Sequence, residues 1–272
     1  KKVISVLMVL AIIIFPGITK WQRTHRDELI MTCLDVGHGQ AILAQLPGKD
    51  NILFDAGSLY KSDVGRRIVA PFLDYSGINR IDSIIISHND VDHINGIPEI
   101  VEHCKVEHVY ANDAFFDGIN QWGPTKFLND WLIKKGFEKD LKRKQLERGL
   151  NLMNGPASIK ILWPSGQALQ EQLSDNDKSL VSLIQLGDVK ILLCSDIERF
   201  AQVELLMLYP NLKADVVAVP HHGSRETTEQ HFLENLNAGI LICSCGQRDY
   251  ERQQTRAENK AKSFYTARDG AI

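Results

Sequence analysis

The 272-residue sequence lacks an excess of charge of either sign: 31 Lys and Arg against 34 Asp and Glu leave a formal net charge of −3. That balance excludes a histone-like binder, but not a local basic patch on an enzyme that handles a polyanion. Paired cysteines are missing too. The five present, Cys33, Cys104, Cys194, Cys243 and Cys245, form no CxxC pair and sit mostly in apolar, strand-like runs. A free cysteine there behaves as a small hydrophobe, so buried thiols are expected rather than disulfides or zinc ligands. Low-complexity tracts and close internal repeats are also absent. What remains is ordinary globular material, 44% hydrophobic, enough for one large domain or two modest ones.

One apolar run departs from this. Residues 3–18, "VISVLMVLAIIIFPGI", are apolar apart from Ser5 and the Pro16-Gly17 break. The run is slightly shorter than the roughly 20 residues that span a bilayer. Lys1 and Lys2 precede it, and Lys20, Arg23 and Arg26 follow. It has no small-x-small cleavage site behind it, as a signal peptide would, and no polar face, as a buried globular helix would. The expectation is a truncated transmembrane helix over 1–19 and a basic linker over 20–28. A chain that starts at Lys1 is then a piece of something longer. Basic flanks on both sides leave the orientation open.

From residue 29 onward, short apolar runs alternate with helical ones. Strands are expected at 29–36, 41–46 and 51–57, joined by tight turns at Gly37-Gly39 and Pro47-Gly48. A helix follows at 65–77, then a strand (80–87), a short helix (97–104) and a strand (106–111). The second half repeats the order: strands at 158–164, 179–187 and 189–196, a helix at 198–209, a strand at 214–220, a helix at 228–237 and a strand at 239–245. Strands first, then alternating strand and helix, in each half fits helices outside two central sheets. That is a four-layer α/β sandwich rather than one doubly wound sheet. Between the halves, "KKGFEKDLKRKQLERG" (134–149) is rich in basic residues. It reads either as a solvated helical surface or as a phosphate-contacting lobe.

The chemistry concentrates at strand ends. "SHNDVDHINGI" (87–97) follows the apolar run "RIDSIII" and carries His88, Asp90, Asp92 and His93. Alternate side chains of an extended segment face one way, so 88, 90 and 92 share a side, and His93 joins them once the chain bends into a helix. Imidazole and carboxylate suit zinc, manganese or iron, and hard oxygens shift the preference toward manganese. The bland alternative is a polar loop in which Asp92 caps the next helix. Asp196, ending "VKILLCSD", can bridge two metals or simply cap a helix. "VPHHGS" (219–224) presents His221 and His222 at another strand end. Asp55 in "ILFDAG" either orients the ligand loops or is a turn aspartate.

Together these motifs resemble the metallo-β-lactamase fold, an αββα four-layer sandwich. With "LDVGHGQAIL" (34–43), "ILFDAG" (52–57), "NDKSLV" (176–181), "ILLCSDIE" (191–198) and "TARDGAI" (266–272) added, the set resembles the C-terminal domain of the ComEC family of DNA-uptake channels. The match runs in the family's order from about residue 29 to 272, and the preceding apolar run sits where the channel's last membrane helix would be. The resemblance implies a metal-dependent nuclease domain that degrades the DNA strand not taken up in natural transformation. It would stand outside the cytoplasm at the inner membrane, with single-stranded DNA, the membrane-embedded remainder of the channel and other uptake machinery as partners.

By the same resemblance His88 and Asp90 would hold one divalent cation. Asp92, His93 and His222 would hold a second, with Asp196 bridging, and His221 is one residue away from replacing His222. Manganese is favoured and zinc is the alternative. Asn176 and Ser179 lie where a remaining first-metal contact is expected, and Asp55 would hold the ligand loops. Such a pair of cations activates a water and polarises a phosphodiester oxygen, which gives Asp92, Asp196 and His222 catalytic parts. Lys134, Lys135, Lys142, Arg143 and Lys144 could guide the phosphate backbone. The family's opening motif usually reads DVGQGD, whereas His38 and Gln40 stand here; Ser195 replaces a usual glycine; and "QRDYERQQ" (247–254) lacks a frequent histidine-proline element. These departures keep two other readings open, a channel domain that binds DNA without cutting and a hydrolase of the same fold acting on a small substrate.

Overall fold

A computed structural model describes residues 12, 14, 15, 27–48, 50–112, 115, 123–143, 146, 148–151, 156–165, 173–253 and 261–272. The expected membrane helix (1–19) and linker (20–28) fall almost wholly outside them. Among the described residues no helix is long and apolar enough to cross a membrane.

Two sheets form the centre. The first has the order β1 (Ile30–Cys33), β2 (Ile42–Gln45), β3 (Asn51–Phe54), β4 (Arg80–Ile86) and β5 (Lys105–Ala111). The second runs β6 (Ala157–Trp163), β7 (Val181–Leu186), β8 (Val189–Leu193), β9 (Val216–Ala218), β10 (Ile240–Cys243) and β11 (Lys262–Tyr265). Each sheet starts antiparallel and turns parallel, at β3–β4 in the first and β8–β9 in the second. The reason is connectivity. The antiparallel neighbours are joined by connections without a crossover helix among the described residues, whereas helical crossovers join the later strands and force a parallel return.

A helical segment at Gly65–Val69 runs into α1 (Ala70–Ser76), which links β3 to β4. Between β4 and β5 lie the one-turn α2 (Val91–Ile94) and α3 (Ile97–His103). Helices α4 (Pro124–Lys134) and α5 (Glu138–Arg143) follow β5. In the second half α6 (Arg199–Leu208), α7 (Gln230–Leu236), α8 (Gln247–Gln253) and α9 (Thr266–Asp269) alternate with strands.

The period-two alternation of strand side chains sorts the apolar residues into three layers. Ile42, Ile52, Phe54 and Ile85 point inward and meet Ile159, Ile161, Ile184, Ile191 and Leu193 between the sheets. Their neighbours Leu43, Leu53, Ile84 and Ile86 point outward onto Val69, Leu73, Ile97 and Ile100. On the far side Leu192, Val217 and Leu241 pack on Ala201, Leu205, Phe232 and Leu236. The result is the expected four-layer sandwich.

Candidate metal centre

Parallel strands bring their carboxyl ends to one edge, and that edge is where an α/β sandwich has room for a ligand. Here the ends of β3, β4, β8, β9 and β10 deliver Asp55, Ser87–His88, Asp196, His221–His222 and Ser244. One carboxylate or imidazole atom from each of Asp92, His93, Asp196 and His222 lies within 4.8 Å of the others, and all four residues are buried. Asp92 and His93 come from α2, which turns them inward one helical step after the strand. His222 Nε2 is 3.3 Å from Asp92 Oδ2 and 3.4 Å from Asp196 Oδ2; His93 Nε2 is 3.2 Å from Asp196 Oδ1.

The tautomers are fixed by the far side of each ring. Asp55 is fully buried, and its carboxylate accepts from Gln40 Nε2 (2.8 Å), Ser87 N (2.7 Å), Ser87 Oγ (2.7 Å) and His93 Nδ1 (2.8 Å). Ser87 has one hydroxyl proton and gives it to Asp55. Its contacts with His88 Nδ1 (2.9 Å) and Ser195 Oγ (2.6 Å) must therefore be accepted ones. His222 Nδ1 donates to the Ser244 carbonyl at 3.0 Å. In His88, His93 and His222 alike, Nδ1 is tied to the protein and Nε2 faces the cluster, the arrangement of metal-ligating imidazoles. His88 Nε2 is buried without a hydrogen bond, and His93 Nε2 and Asp196 Oδ1 have only each other, at 3.2 Å. Orphaned polar atoms of that kind are costly unless a cation takes their lone pairs, so the donor set fits a divalent metal.

Burial opposes charge on every member of the cluster, but the opposite charges outweigh it. The Asp196 and Asp92 carboxylates lift His222 to about 10, and His222 with His93 brings Asp92 down to about 2. Asp196 and Asp55 likewise hold His93 well above the usual imidazole range, and the two histidines hold Asp196 well below the usual carboxylate range. Protons and a metal thus compete for the same atoms.

A second pair stands beside this group. His88 Nε2 is 3.6 Å from Asp90 Oδ2, and the His88 and His93 ring centroids are 4.1 Å apart. His88 is buried, whereas the Asp90 side chain is 49% exposed and faces solvent at the N-terminal end of α2. Asp92 lies within α2 rather than capping it. Asp196 does not cap α6 either: Asp177 Oδ1 accepts from Glu198 N and Ala201 N there. His221 is turned aside, its Nδ1 3.1 Å from Thr227 Oγ1 and its Nε2 4.0 Å from Asp196 Oδ2. Asn176 donates to Glu198 Oε1 at 3.1 Å. Ser179 is buried with an unbonded hydroxyl, next to Leu180, whose N–H donates to the Ser87 carbonyl.

Two lysines of the basic segment stand away from the cluster. Thr125 Oγ1, at the start of α4, donates to the Asn89 carbonyl, so the amino end of α4 rests on the ligand loop. Lys134 and Lys135 are exposed at its other end, roughly 14 Å along the helix. Lys135 Nζ is 3.6 Å from Glu102 and lies over Trp131. Lys142 and Arg143 belong to α5, and Lys144 lies outside the described residues.

Three sequence departures turn out to be parts of the site. Ser195 takes φ 49°, the left-handed conformation that favours glycine, and its hydroxyl completes the Ser87 network. Gln40 donates to Asp55. His38, unassigned from sequence, has Nδ1 2.8 Å from Asp249 Oδ2, Nε2 3.6 Å from Asp92 Oδ2 and its ring 4.6 Å from His222. The signal for it was the mismatch itself: a histidine and an aspartate standing in two segments that both depart from the family pattern.

The family model of the metallo-beta-lactamase superfamily matches residues 34–246, which include every member of this cluster. The chain belongs to the metallo-beta-lactamase superfamily. With the four-residue cluster, that membership marks a candidate divalent-metal site. Among ComEC-family competence proteins, the chain is 26% identical over 227 residues to ComE operon protein 3 of Bacillus subtilis (strain 168), covering 79% of this chain and 28% of that protein. It is 28% identical over 246 residues to Recombination protein 2 of Haemophilus influenzae, covering 89% and 26%. The chain therefore spans under a third of the length of these relatives. The metallo-beta-lactamase fold protein YhfI from Bacillus subtilis superposes with a TM-score of 0.55 at 16% identity, covering 89% of this chain and 99% of that one, a likeness of fold.

Proposed function

We propose that this chain is the metal-dependent DNA nuclease domain of a ComEC-like uptake channel, hydrolysing phosphodiester bonds of the strand that is not transported. The observation that carries the reading is the orientation of three imidazole rings. His88, His93 and His222 all aim Nε2 at the carboxylates of Asp90, Asp92 and Asp196, in a chain similar to competence proteins over most of its length. His93, His222, Asp92 and Asp196 would hold one divalent cation, and His88 with Asp90 a second. Manganese is favoured over zinc because half of these donors are hard carboxylates. Bound there, the cations would supply Lewis acidity toward the phosphate oxygens and a nucleophilic water near neutral pH. The chain's own residues set the stage: Asp55 and Ser87 hold two imidazoles in place, and Ser244 a third. In this reading residues 1–19 end the membrane part, 20–28 link it, and 29–272 form the nuclease outside the cytoplasm.

The test is cleavage of end-labelled single-stranded DNA with Mn²⁺, Zn²⁺ or chelator, by the wild type and by Asp92→Asn and Asp196→Asn. The expected result is Mn²⁺-dependent cleavage that both substitutions reduce to background while the circular-dichroism spectrum stays unchanged. Cleavage that survives both substitutions would overturn the reading.

A further inference from the structure

The loop after β3 carries two apolar side chains into solvent at the rim of the candidate metal centre: Leu59 is 48% exposed and Tyr60 72%. Five hydrogen bonds sew the backbone beneath them to the site, and none uses either side chain. Ser58 N–H donates to Asn95 Oδ1 (3.0 Å), and Asn95 Nδ2 donates to the carbonyls of Ser58 (2.8 Å) and Lys61 (3.2 Å). Ser58 Oγ donates to the Val36 carbonyl (2.7 Å), and Leu59 N–H to the His38 carbonyl (2.7 Å). Asn95 closes α2, the helix that carries Asp92 and His93. The loop is thus fixed to a ligand helix on one side and to the His38 turn on the other. Packing does not account for the place of a ring this exposed on a backbone this constrained. The Tyr60 and His38 rings meet edge-on, 6.1 Å apart and tilted by 62°, and the His38 ring is 4.6 Å from that of His222. One imidazole separates the tyrosine from a candidate metal ligand.

Building on the nuclease reading, we infer that Tyr60 is a stacking platform for an unpaired nucleobase of the strand held at the metal centre. Every base has a π-face, so stacking on an aromatic ring adds affinity without reading sequence. With a phosphate at the metals, the base of a neighbouring nucleotide hangs on the side where Tyr60 stands, and Leu59 widens the apolar floor. A base inside a duplex is already stacked and paired, and it reaches a protein ring only after being unstacked. The platform therefore selects single-stranded DNA over duplex. Tyr60 decides which strand is gripped and where its base lies; it moves no proton.

The experiment reads binding by anisotropy for the wild type, Tyr60→Ala and Tyr60→Phe, with Ca²⁺ in place of Mn²⁺. The two labelled probes have equal length and the same phosphates: oligothymidylate and a fully abasic oligomer. Tyr60→Ala is expected to lose about tenfold or more in affinity for oligothymidylate, the scale of one stacked base, and nothing for the abasic oligomer. Tyr60→Phe keeps the ring and should keep the affinity. The slope of log affinity against log salt should be the same in all three proteins, because no phosphate contact is lost. In Mn²⁺, the preference for cleaving single strands over duplex should shrink in Tyr60→Ala. Equal losses on the two probes, no loss on oligothymidylate, or a wild type that binds both probes equally or neither, would overturn the platform. If the wild type binds oligothymidylate but cleaves no DNA in Mn²⁺, the nuclease reading fails instead, and the binding series still decides the platform by itself.

Discussion

Asp55 gathers four hydrogen bonds on one buried carboxylate, and three of the donors are side chains of the ligand network. An amide cannot replace it. Whichever way an asparagine is turned at position 55, its NH₂ meets a donor, and the simplest relief is for His93 to shift its proton to Nε2. That atom is the one the metal needs. Asp55→Asn should therefore bind Mn²⁺ about 10–100-fold more weakly, the usual penalty for losing a partner behind a ligand. Titration calorimetry measures it, and an unchanged affinity would mean that Asp55 only braces its turn. The cysteines make the opposite case, of groups kept out of chemistry. Burial pushes Cys33 and Cys245 up to about 12 and Cys194 higher still. Because the raised pKa favours the protonated folded form, their contribution to stability is whole below the ordinary thiol pKa. It is lost as pH climbs from there toward about 12. At pH 8 a thiol reagent should find these three inert in the native protein. The half-buried Cys104, raised to about 11, should react slowly, and all five should react in denaturant.

At the scale of elements, the site depends on how closely two loops pass. A Cβ on Gly57 would lie 2.3 Å from the Asp92 carbonyl carbon and 2.4 Å from His93 N, and neither is a flexible side-chain end. The turn after β3 can lie on α2 only because position 57 has no side chain. Gly57→Ala should cost at least the about 1–3 kcal/mol typical of overpacking, and it should push Asp92 and His93 out of register. Gly239→Ala is the control: its Cβ would meet only the Asp215 carbonyl, at 3.7 Å. Urea midpoints and bound-metal stoichiometry should separate the two. A Gly57→Ala protein with full metal content would show the approach to be dispensable.

Strands, crossovers and the motifs that meet at the candidate site were legible in the sequence because each is local. A run such as "RIDSIII" declares a buried strand, and a histidine or aspartate at its end declares chemistry. His38 and Asp249 were not legible, because they meet across 211 residues of chain and neither belongs to a recurring spacing. Nor were the left-handed backbones at Asp55, Ser195, His221 and His222, with φ of 56°, 49°, 47° and 53°. Strain of that kind is set by tertiary contacts, and it clusters where the site is built.

For the whole molecule, the cluster sits on the seam between the two sheets. Asp92 and His93 hang from the first half, and Asp196 and His222 from the second. A cation held by all four ties the halves together, and the unfolded chain has no equivalent site. Binding is therefore folding free energy. At a metal concentration about 100 times Kd, the stabilisation is about 2.7 kcal/mol. For a domain of this size that is worth roughly 5–10 °C in Tm. Chelation should lower Tm by that amount in the wild type, and re-addition of Mn²⁺ should restore it. In Asp196→Asn the chelator-induced shift should shrink, because the residue that contacts both His93 and His222 no longer carries a charge. Equal shifts in the two proteins would place the stabilising ion somewhere other than this seam, and the ligand assignment would fall with it.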